Sequence, residues 1–138
     1  MIVVDTNLIA YAVLPGERTK PALALAERDP AWVAPALWRR ELRNVLATLM
    51  RVRHLPLQKA LAAFAAAEAL VTDATVEPST EECLRLAARG RISAWDAEFV
   101  FVAEAVGLPL VTADRRLARA FPGRVVPLGD LPLEKWLP

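Results

Sequence analysis

The sequence predicts an α/β fold, a three-layer sandwich in which a central parallel sheet of about five strands is flanked by helices. Short runs of β-forming residues alternate with longer helical patterns along the chain. The first run, Ile2-Val3-Val4, is apolar throughout, which is typical of a strand buried on both faces of a sheet. The chain has 138 residues, 55% of them hydrophobic, which suits one domain with its own core. We therefore expect residues 1–138 to form a single domain.

The predicted strands are short runs of β-branched and apolar residues: Ile2–Val4, Trp32–Ala34, Ala74–Val76, Leu110–Thr112 and Val125–Leu128. Between the second and third runs, apolar residues recur at helical spacing. This spacing predicts helices from Ala36 to Arg53 and from Leu57 to Ala69. Pro56 separates the two helices, because proline does not fit inside a helix.

Three later helices are predicted from the signals at their ends. Ser79-Thr80-Glu81-Glu82 is typical of a capping box, and Gly90 is typical of the end of that helix. Ser93-Ala94-Trp95-Asp96 begins the next helix with similar spacing, and a glycine again follows it. Asp114 precedes a short helical stretch, Arg115–Phe121, and is placed to cap it.

Composition excludes several classes of protein. The 17 basic and 16 acidic residues leave a net charge of +1, so charge alone does not indicate a polyanion partner. With one cysteine, Cys83, and one histidine, His54, the chain has neither an internal disulfide nor a Cys/His zinc cage. We find no leader sequence and no apolar stretch long enough to span a membrane, so we expect a cytoplasmic protein.

Two carboxylates follow predicted strands directly. Asp5 comes after Ile2–Val4, and Asp114 comes two residues after Leu110–Thr112. In open parallel sheets, ligands bind beyond the carboxyl ends of the strands. The sequence therefore predicts that both acids border one crevice, although helix capping alone would also explain Asp114.

Two further acids occupy helices that lead to the same edge of the sheet. Glu41 falls just inside the apolar side of its helix, where an unpaired carboxylate is costly, and a salt bridge to a nearby Arg is the alternative explanation. Asp96 lies near the start of its helix, beside an apolar stripe predicted to be buried: Trp95, Phe99, Val102 and Val106. A capping-box role would account for Asp96 by itself. Because helices of such folds begin at the rim where strands end, all four acids can converge.

Four converging carboxylates indicate a metal site. Carboxylates crowded together do not all stay ionised without a cation, and oxygen ligands favour Mg²⁺ or Mn²⁺. A cation held in this way activates water for phosphodiester hydrolysis, so no serine, cysteine or histidine nucleophile is required. Three pieces in this order carry the pattern: Val3-Val4-Asp5-Thr6-Asn7, Asp96-Ala97 after Glu41, and Val111-Thr112-Ala113-Asp114.

This ordered set resembles the PIN-domain ribonucleases, in particular the toxins of VapBC toxin–antitoxin pairs. The resemblance implies an endoribonuclease in which four acids bind Mg²⁺ or Mn²⁺: Asp5, Glu41, Asp96 and Asp114. It also implies that Thr6, Asn7 and Thr112 are supporting polar residues that orient the carboxylates or a water. Some family members carry an additional acid near the fourth one, where this chain has Arg115 and Arg116. Whether one metal ion or two would bind is therefore open.

The arginines around the predicted acids are candidate RNA contacts, because the guanidinium group pairs well with phosphate. They are Arg39, Arg40, Arg43, Arg115 and Arg116, and a solvated helix face is the alternative explanation for each. The resemblance further implies a homodimer and an antitoxin protein whose C-terminal segment covers the acidic groove. Two apolar features are candidate interfaces, the stretch Ala60–Val71 and Phe101, with ordinary core packing as the alternative.

Other functions are weighed against the same residues. A haloacid-dehalogenase-like phosphatase needs a second Asp where this chain has Asn7, and the scattered glycines do not form a P-loop or a dinucleotide site. The acid pair and later lysine of a response-regulator receiver are not visible. A PIN-like module that binds RNA or protein without catalysis remains an alternative. In a further alternative, the four acids do not converge and act only as caps and surface pairs.

Overall fold

A computed structural model describes residues 1–130, and residues 131–138 of the predicted domain lie outside the described residues. Within 1–130, five strands form one sheet: β1 Ile2–Val4, β2 Trp32–Ala34, β3 Val71–Asp73, β4 Leu110–Thr112 and β5 Val125–Pro127. All four pairings between neighbouring strands are parallel, in the order β3-β2-β1-β4-β5. The predicted parallel α/β sheet of about five strands is confirmed.

The helices connect these strands in sequence. They are α1 Thr6–Val13, α2 Thr19–Arg28, α3 Leu37–Arg53, α4 Leu57–Leu70, α5 Thr80–Gly90, α6 Ala94–Val106 and α7 Arg115–Ala120, and a short 3₁₀ helix covers Leu128–Asp130. The chain reverses direction across the sheet after β3. Since crossovers between parallel strands are right-handed, this order puts α1 to α4 on one face of the sheet and α5 to α7 on the other. The three-layer sandwich is confirmed.

This reversal creates a switch point between β1 and β4. The chain moves from β1 to β2 and β3, and then crosses back to β4 on the other side of β1. Val3 pairs with Leu110 and Val4 with Val111, so the two strands end at the same level. A crevice opens at such a point, because the helices after the two strands lie on opposite faces. The two strands that precede Asp5 and Asp114 therefore border this crevice.

The helix predictions agree with the structure, but the third strand was placed wrongly. Ala74–Val76 was the predicted run, whereas β3 is Val71–Asp73 and follows α4 without a loop. Pairing with β2 explains the shift, since Val71 lies opposite Trp32 and Asp73 lies opposite Ala34. Val71-Thr72 has as many β-branched residues as the predicted run, so the local preference for a strand did not distinguish the two segments.

The predicted buried stripe of α6 is only half correct. Phe99 and Val102 are buried, but Trp95 is 60% exposed and Val106 is 38% exposed. A helix of 13 residues is about 20 Å long, whereas a strand of three residues spans about 10 Å. The middle of α6 therefore covers the sheet, and its two ends extend beyond it.

The apolar helix α4 contributes its small side chains to the core. Ala60, Ala63 and Ala67 are buried, while Leu57 and Leu61 are more than half exposed. Phe101, the second candidate interface, is partly buried.

In the described part of the chain, no helix has the length and apolarity needed to cross a membrane.

Candidate functional site

Asp5 is held rigidly at the carboxyl end of β1. Its side chain is buried, and Oδ1 accepts a hydrogen bond of 2.9 Å from the backbone N–H of Leu8, so Asp5 caps α1. Its other oxygen, Oδ2, accepts a hydrogen bond from the hydroxyl of Thr112, the last residue of β4. Both carboxylate oxygens are thus fixed by groups on neighbouring elements of the fold.

Thr112 links Asp5 to Asp114. While its hydroxyl donates to Asp5, the same oxygen accepts a 2.9 Å hydrogen bond from the backbone N–H of Asp114. Asp114 caps α7, because its Oδ1 accepts from the backbone N–H of Arg116 at 2.9 Å. Asp114 therefore caps α7 as predicted, but the cap uses only one of its two carboxylate oxygens. The other oxygen, Oδ2, lies 3.7 Å from the exposed guanidinium of Arg116.

Glu41 is positioned by a side chain of α1. The hydroxyl of Thr6, which is buried, donates a 2.8 Å hydrogen bond to Glu41 Oε1. Glu41 itself is half-buried, and no ion pair between residues of the described range includes it. A salt bridge to a nearby arginine, the alternative explanation for this acid, is not what the structure shows.

The four acids influence one another electrostatically. Burial raises the pKa of Asp5 to about 6, against the hydrogen bonds from Thr112 and Leu8, and repulsion from Asp96 and Glu41 raises it further. Burial also raises the pKa of Glu41, and Asp96 adds to this effect. Asp5, Glu41 and Asp96 are therefore close enough for their charges to interact.

Asp96 connects this group to the fourth acid. Burial raises its pKa first, and the negative charge of Asp114 raises it further, whereas a hydrogen bond from Ser93 and the charge of Arg116 lower it. The backbone N–H of Asp96 donates to Ser93 Oγ at 3.0 Å, so the expected cap at Ser93 is present. Capping orients this segment, and the charge of Asp96 interacts with those of Asp5, Glu41 and Asp114.

The donor chemistry of this site suits a hard divalent cation. It consists of carboxylate and hydroxyl oxygens, and burial, with repulsion between the carboxylates added, raises three of their pKa values. In the arrangement of residues 1–130, no group of three Asp, Glu, His or Cys side chains is close enough to hold a metal ion without rearrangement. Two of the carboxylates together with oxygens from water or a phosphate would supply the remaining ligands.

A cavity of about 370 Å³ lies beside Glu41. Its lining comprises Thr6, Asn7, Leu37, Arg40, Glu41, Asn44, Val45 and Trp95. The exposed Asn7 therefore lies where the sequence placed it, next to the acids. Sequence reasoning missed Asn44 and Trp95. The i, i+3 spacing from Glu41 could have indicated Asn44, but the predicted apolar stripe assigned Trp95 to the core.

Glu98 is a fifth acid near the site that the sequence did not indicate. Its charge raises the pKa of Glu41, and it lines a second cavity of about 250 Å³ together with Arg40 and Trp95. The position of Glu98 two residues after Asp96 could have indicated it. The spacing alone does not show which side of α6 faces the crevice, so the tertiary structure was needed.

The five candidate arginines divide into two groups. Arg39 pairs with Glu68 at 2.6 Å and with Asp73 at 3.3 Å, and its guanidinium lies over the Trp38 ring. Arg43 lies over the Phe64 ring. These contacts direct both arginines toward α4 and β3. The arginines that remain beside the acids are Arg40, which lines both cavities, Arg116, and the exposed Arg115 at the start of α7.

Comparison with known proteins agrees with this fold. The PIN domain model matches residues 2–121, and the chain belongs to the PIN-domain family. Among individual proteins, it is 31% identical to Ribonuclease VapC3 of Pyrobaculum aerophilum over 142 aligned positions, which cover 91% of this chain and 98% of that protein. The resemblance to PIN-domain proteins is therefore confirmed.

Solved structures share the fold at lower identity. The crystal structure of PAE2754 from Pyrobaculum aerophilum superposes with a TM-score of 0.69 and 22% identity, covering 93% of this chain and 90% of that one. The crystal structure of VapBC2 from Rickettsia felis, bound to a DNA fragment from their promoter, gives a TM-score of 0.62 and 16% identity. That comparison covers 92% of this chain and 98% of the other.

Proposed function

We propose that the protein is a metal-dependent endoribonuclease that hydrolyses RNA phosphodiester bonds. The observation that carries the proposal is the group of acids at the switch point of the sheet: Thr112 links Asp5 to Asp114 by hydrogen bonds, and Thr6 holds Glu41. Burial raises the pKa values of Asp5, Glu41 and Asp96, and repulsion from neighbouring acids raises them further. Such repulsion is costly to the fold and has a use when a cation and a phosphate occupy the space between the acids. The relationship to Ribonuclease VapC3 supports ribonuclease activity in particular.

Asp5, Glu41, Asp96 and Asp114 are the proposed ligands of Mg²⁺ or Mn²⁺. When bound, the cation supplies Lewis acidity and a positive charge that offsets the charges of the carboxylates and the phosphodiester. Asp5 is the most rigid of the proposed ligands, because Leu8 and Thr112 hold its two oxygens.

Two supporting polar residues orient the proposed ligands from two different elements. Thr6 on α1 holds the Glu41 carboxylate, and Thr112 at the end of β4 holds both Asp5 and the backbone of Asp114. Arg40 and Arg116 are the proposed contacts to RNA phosphates, since both lie beside the acids. Hydroxyl donors of this kind fix the direction of a carboxylate and increase the affinity for a metal ion.

We further propose that the protein is the toxin of a type II toxin–antitoxin pair and acts in the cytoplasm, where its RNA substrate is found. The fold shared with the VapBC2 complex and the relationship to Ribonuclease VapC3 support an antitoxin partner. We also propose a homodimer, for which the exposed Leu57, Leu61 and Val52 near the α3–α4 junction offer apolar surface. Sedimentation that shows a monomer at micromolar concentration would count against the dimer.

RNA cleavage by the purified chain, freed of any co-purifying protein, tests the nuclease. A panel of structured and single-stranded RNAs is incubated with Mg²⁺, with Mn²⁺ or with EDTA. The parent chain is compared with Asp96→Asn and with Glu81→Gln, a control that removes an exposed acid on α5 outside the site. We expect cleavage that requires a metal ion, is lost in Asp96→Asn and persists in Glu81→Gln.

Two other results would change the conclusion. Equal cleavage by Asp96→Asn and the parent chain would show that the nuclease activity does not come from these acids. RNA binding without cleavage at any metal concentration, together with no Mn²⁺ binding in calorimetry, would favour the non-catalytic binding module.

A further inference from the structure

Trp95 is more than half exposed on the surface of the fold. It lies in the first turn of α6, directly before Asp96, and 60% of its surface is exposed. Trp32 and Trp38, by contrast, are fully buried. Trp95 takes part in none of the ring–ring or cation–π contacts found among residues 1–130. An indole is the largest apolar side chain, so leaving it in water forgoes substantial stabilisation.

The Trp95 side chain separates two cavities beside the acids. It lines the cavity of about 370 Å³ that contains Glu41 and Thr6, and also the neighbouring cavity of about 250 Å³ that contains Glu98. Arg40 lines both cavities as well. An aromatic surface and a guanidinium therefore stand together on the rim of the proposed metal centre.

The chemistry around Trp95 matches that of an unpaired nucleotide. A base stacks on an aromatic ring through its π-face, and Arg40 can pair with the adjoining phosphate. The amides of Asn7 and Asn44, which line the larger cavity, can bond the edge of a base. Protein-binding hot spots also use Trp and Arg, but in well-packed, fully desolvated pockets, whereas Trp95 stands beside open, polar cavities. The mixture of one aromatic ring with amides and a cation favours RNA.

We propose that Trp95 is a base-stacking residue that holds an unpaired base next to the scissile phosphate, with Arg40 on the adjoining backbone. This inference rests on the proposed nuclease function and specifies its substrate as single-stranded RNA at the cleavage point. Bases within a duplex already stack on one another, so they offer no free face to an indole at the rim of the site.

Kinetics with Trp95→Ala, Trp95→Phe and the parent chain test the proposal. Leu84→Ala is the matched control, because Leu84 is 58% exposed on α5 and lines none of the cavities described above. One lost stack is worth about 1–3 kcal/mol, so Trp95→Ala should lower kcat/KM by roughly 5- to 150-fold. Stacking contributes to binding before and during reaction, so KM should rise while kcat changes little. We expect Trp95→Phe to restore much of the activity.

Abasic substrates identify the stacked base directly. In a single-stranded RNA that the parent chain cleaves, each base near the cleaved bond is replaced in turn by an abasic ribose. One flanking replacement should reduce the activity of the parent chain as much as Trp95→Ala does, and the same replacement should cost Trp95→Ala nothing further. Fully additive losses, or a Trp95→Ala variant as active as the parent, would overturn the proposal.

A binding measurement separates this inference from the nuclease proposal. Single-stranded oligoribonucleotides should quench the tryptophan fluorescence of Asp5→Asn, and the additional Trp95→Phe change should remove that quenching. If the parent cleaves no RNA but this quenching is found, stacking stands and the nuclease proposal fails. Absence of the quenching overturns the stacking role.

If Trp95→Ala only weakens the binding of a co-purifying protein and leaves RNA cleavage unchanged, the surface serves a protein partner and the inference is wrong.

Discussion

Asp5→Asn should make the metal-free protein more stable at neutral pH, although it removes a proposed metal ligand. The Asp5 carboxylate is buried beside other acids, and its pKa is raised from 3.8 to about 6. The ionised carboxylate therefore destabilises the folded state at pH 7. An amide of nearly the same shape carries no charge and avoids this cost.

The magnitude follows from the pKa. A rise from 3.8 to about 6, at 1.36 kcal/mol per pKa unit, corresponds to about 3 kcal/mol of unfolding free energy at neutral pH. Asparagine caps helices about as well as aspartate, so the hydrogen bond from Leu8 is retained. The amide keeps only one acceptor oxygen, so the bond from Thr112 is lost or reversed, at about 1 kcal/mol. A net gain of about 2 kcal/mol remains.

The sign of the effect changes with pH. Below the unfolded pKa of 3.8, both states bind the proton and the carboxylate carries no penalty. Between that value and about 6, the unfolded chain loses its proton first, so the stability of the parent falls as pH rises. The Asp5→Asn variant has no carboxylate at this position, so its stability does not fall in this way. It should be slightly less stable than the parent at acid pH and more stable above about pH 6.

Urea unfolding in EDTA, from about pH 4 to about pH 8, measures this difference. Asp73→Asn is the matched control, because the Asp73 carboxylate accepts hydrogen bonds from Trp38 and Arg39, and its replacement should not stabilise the protein at any pH. If Asp5→Asn were less stable than the parent by the same margin throughout, the argument from burial and repulsion would be refuted.

Three further predictions test the site and the core. Thr6→Val removes the hydroxyl that orients Glu41, so RNA cleavage should fall about tenfold or more while circular dichroism shows a folded protein, and Thr6→Ser should restore it. Gly90→Ala places a methyl group against the Phe121 ring, so urea unfolding should show a loss of about 1–3 kcal/mol despite the better helix propensity of alanine. Because protons compete with a cation at Asp5, Mg²⁺ affinity in calorimetry should rise with pH up to about 6 and then level off; an affinity independent of pH would contradict this.

The strands and the ends of most helices were predictable because their signals are local. The apolar run Ile2–Val4 and the caps at Ser79, Ser93 and Asp114 all appear in the structure where the sequence placed them. The third strand was not predictable in this way. Ala74–Val76 and Val71–Asp73 have similar local preferences, and only pairing with β2 selects the second segment.

The four acids of the candidate site were proposed from sequence, because each follows a strand or begins or borders a helix that leads to the same rim. Thr6 and Thr112 were named as supporting residues, but which acid each of them holds was not predicted. Thr6 holds Glu41 across 35 positions of sequence, and Thr112 holds Asp5 across 107 positions. Such pairs depend on which strands become neighbours, and the sequence analysis did not establish that β4 lies beside β1.

The sequence by itself therefore determined the fold class, the order of the elements and the residue types of a site that suits a hard cation, because these depend on short-range periodicity and on side-chain chemistry. Only the tertiary structure determined which charges interact and which side chains border the site. It turned Arg39 toward Asp73 and Glu68 and left Trp95 exposed beside Asp96. The physical reason is that burial and charge repulsion depend on distances between segments far apart in the chain, and those distances exist only after the sheet has formed.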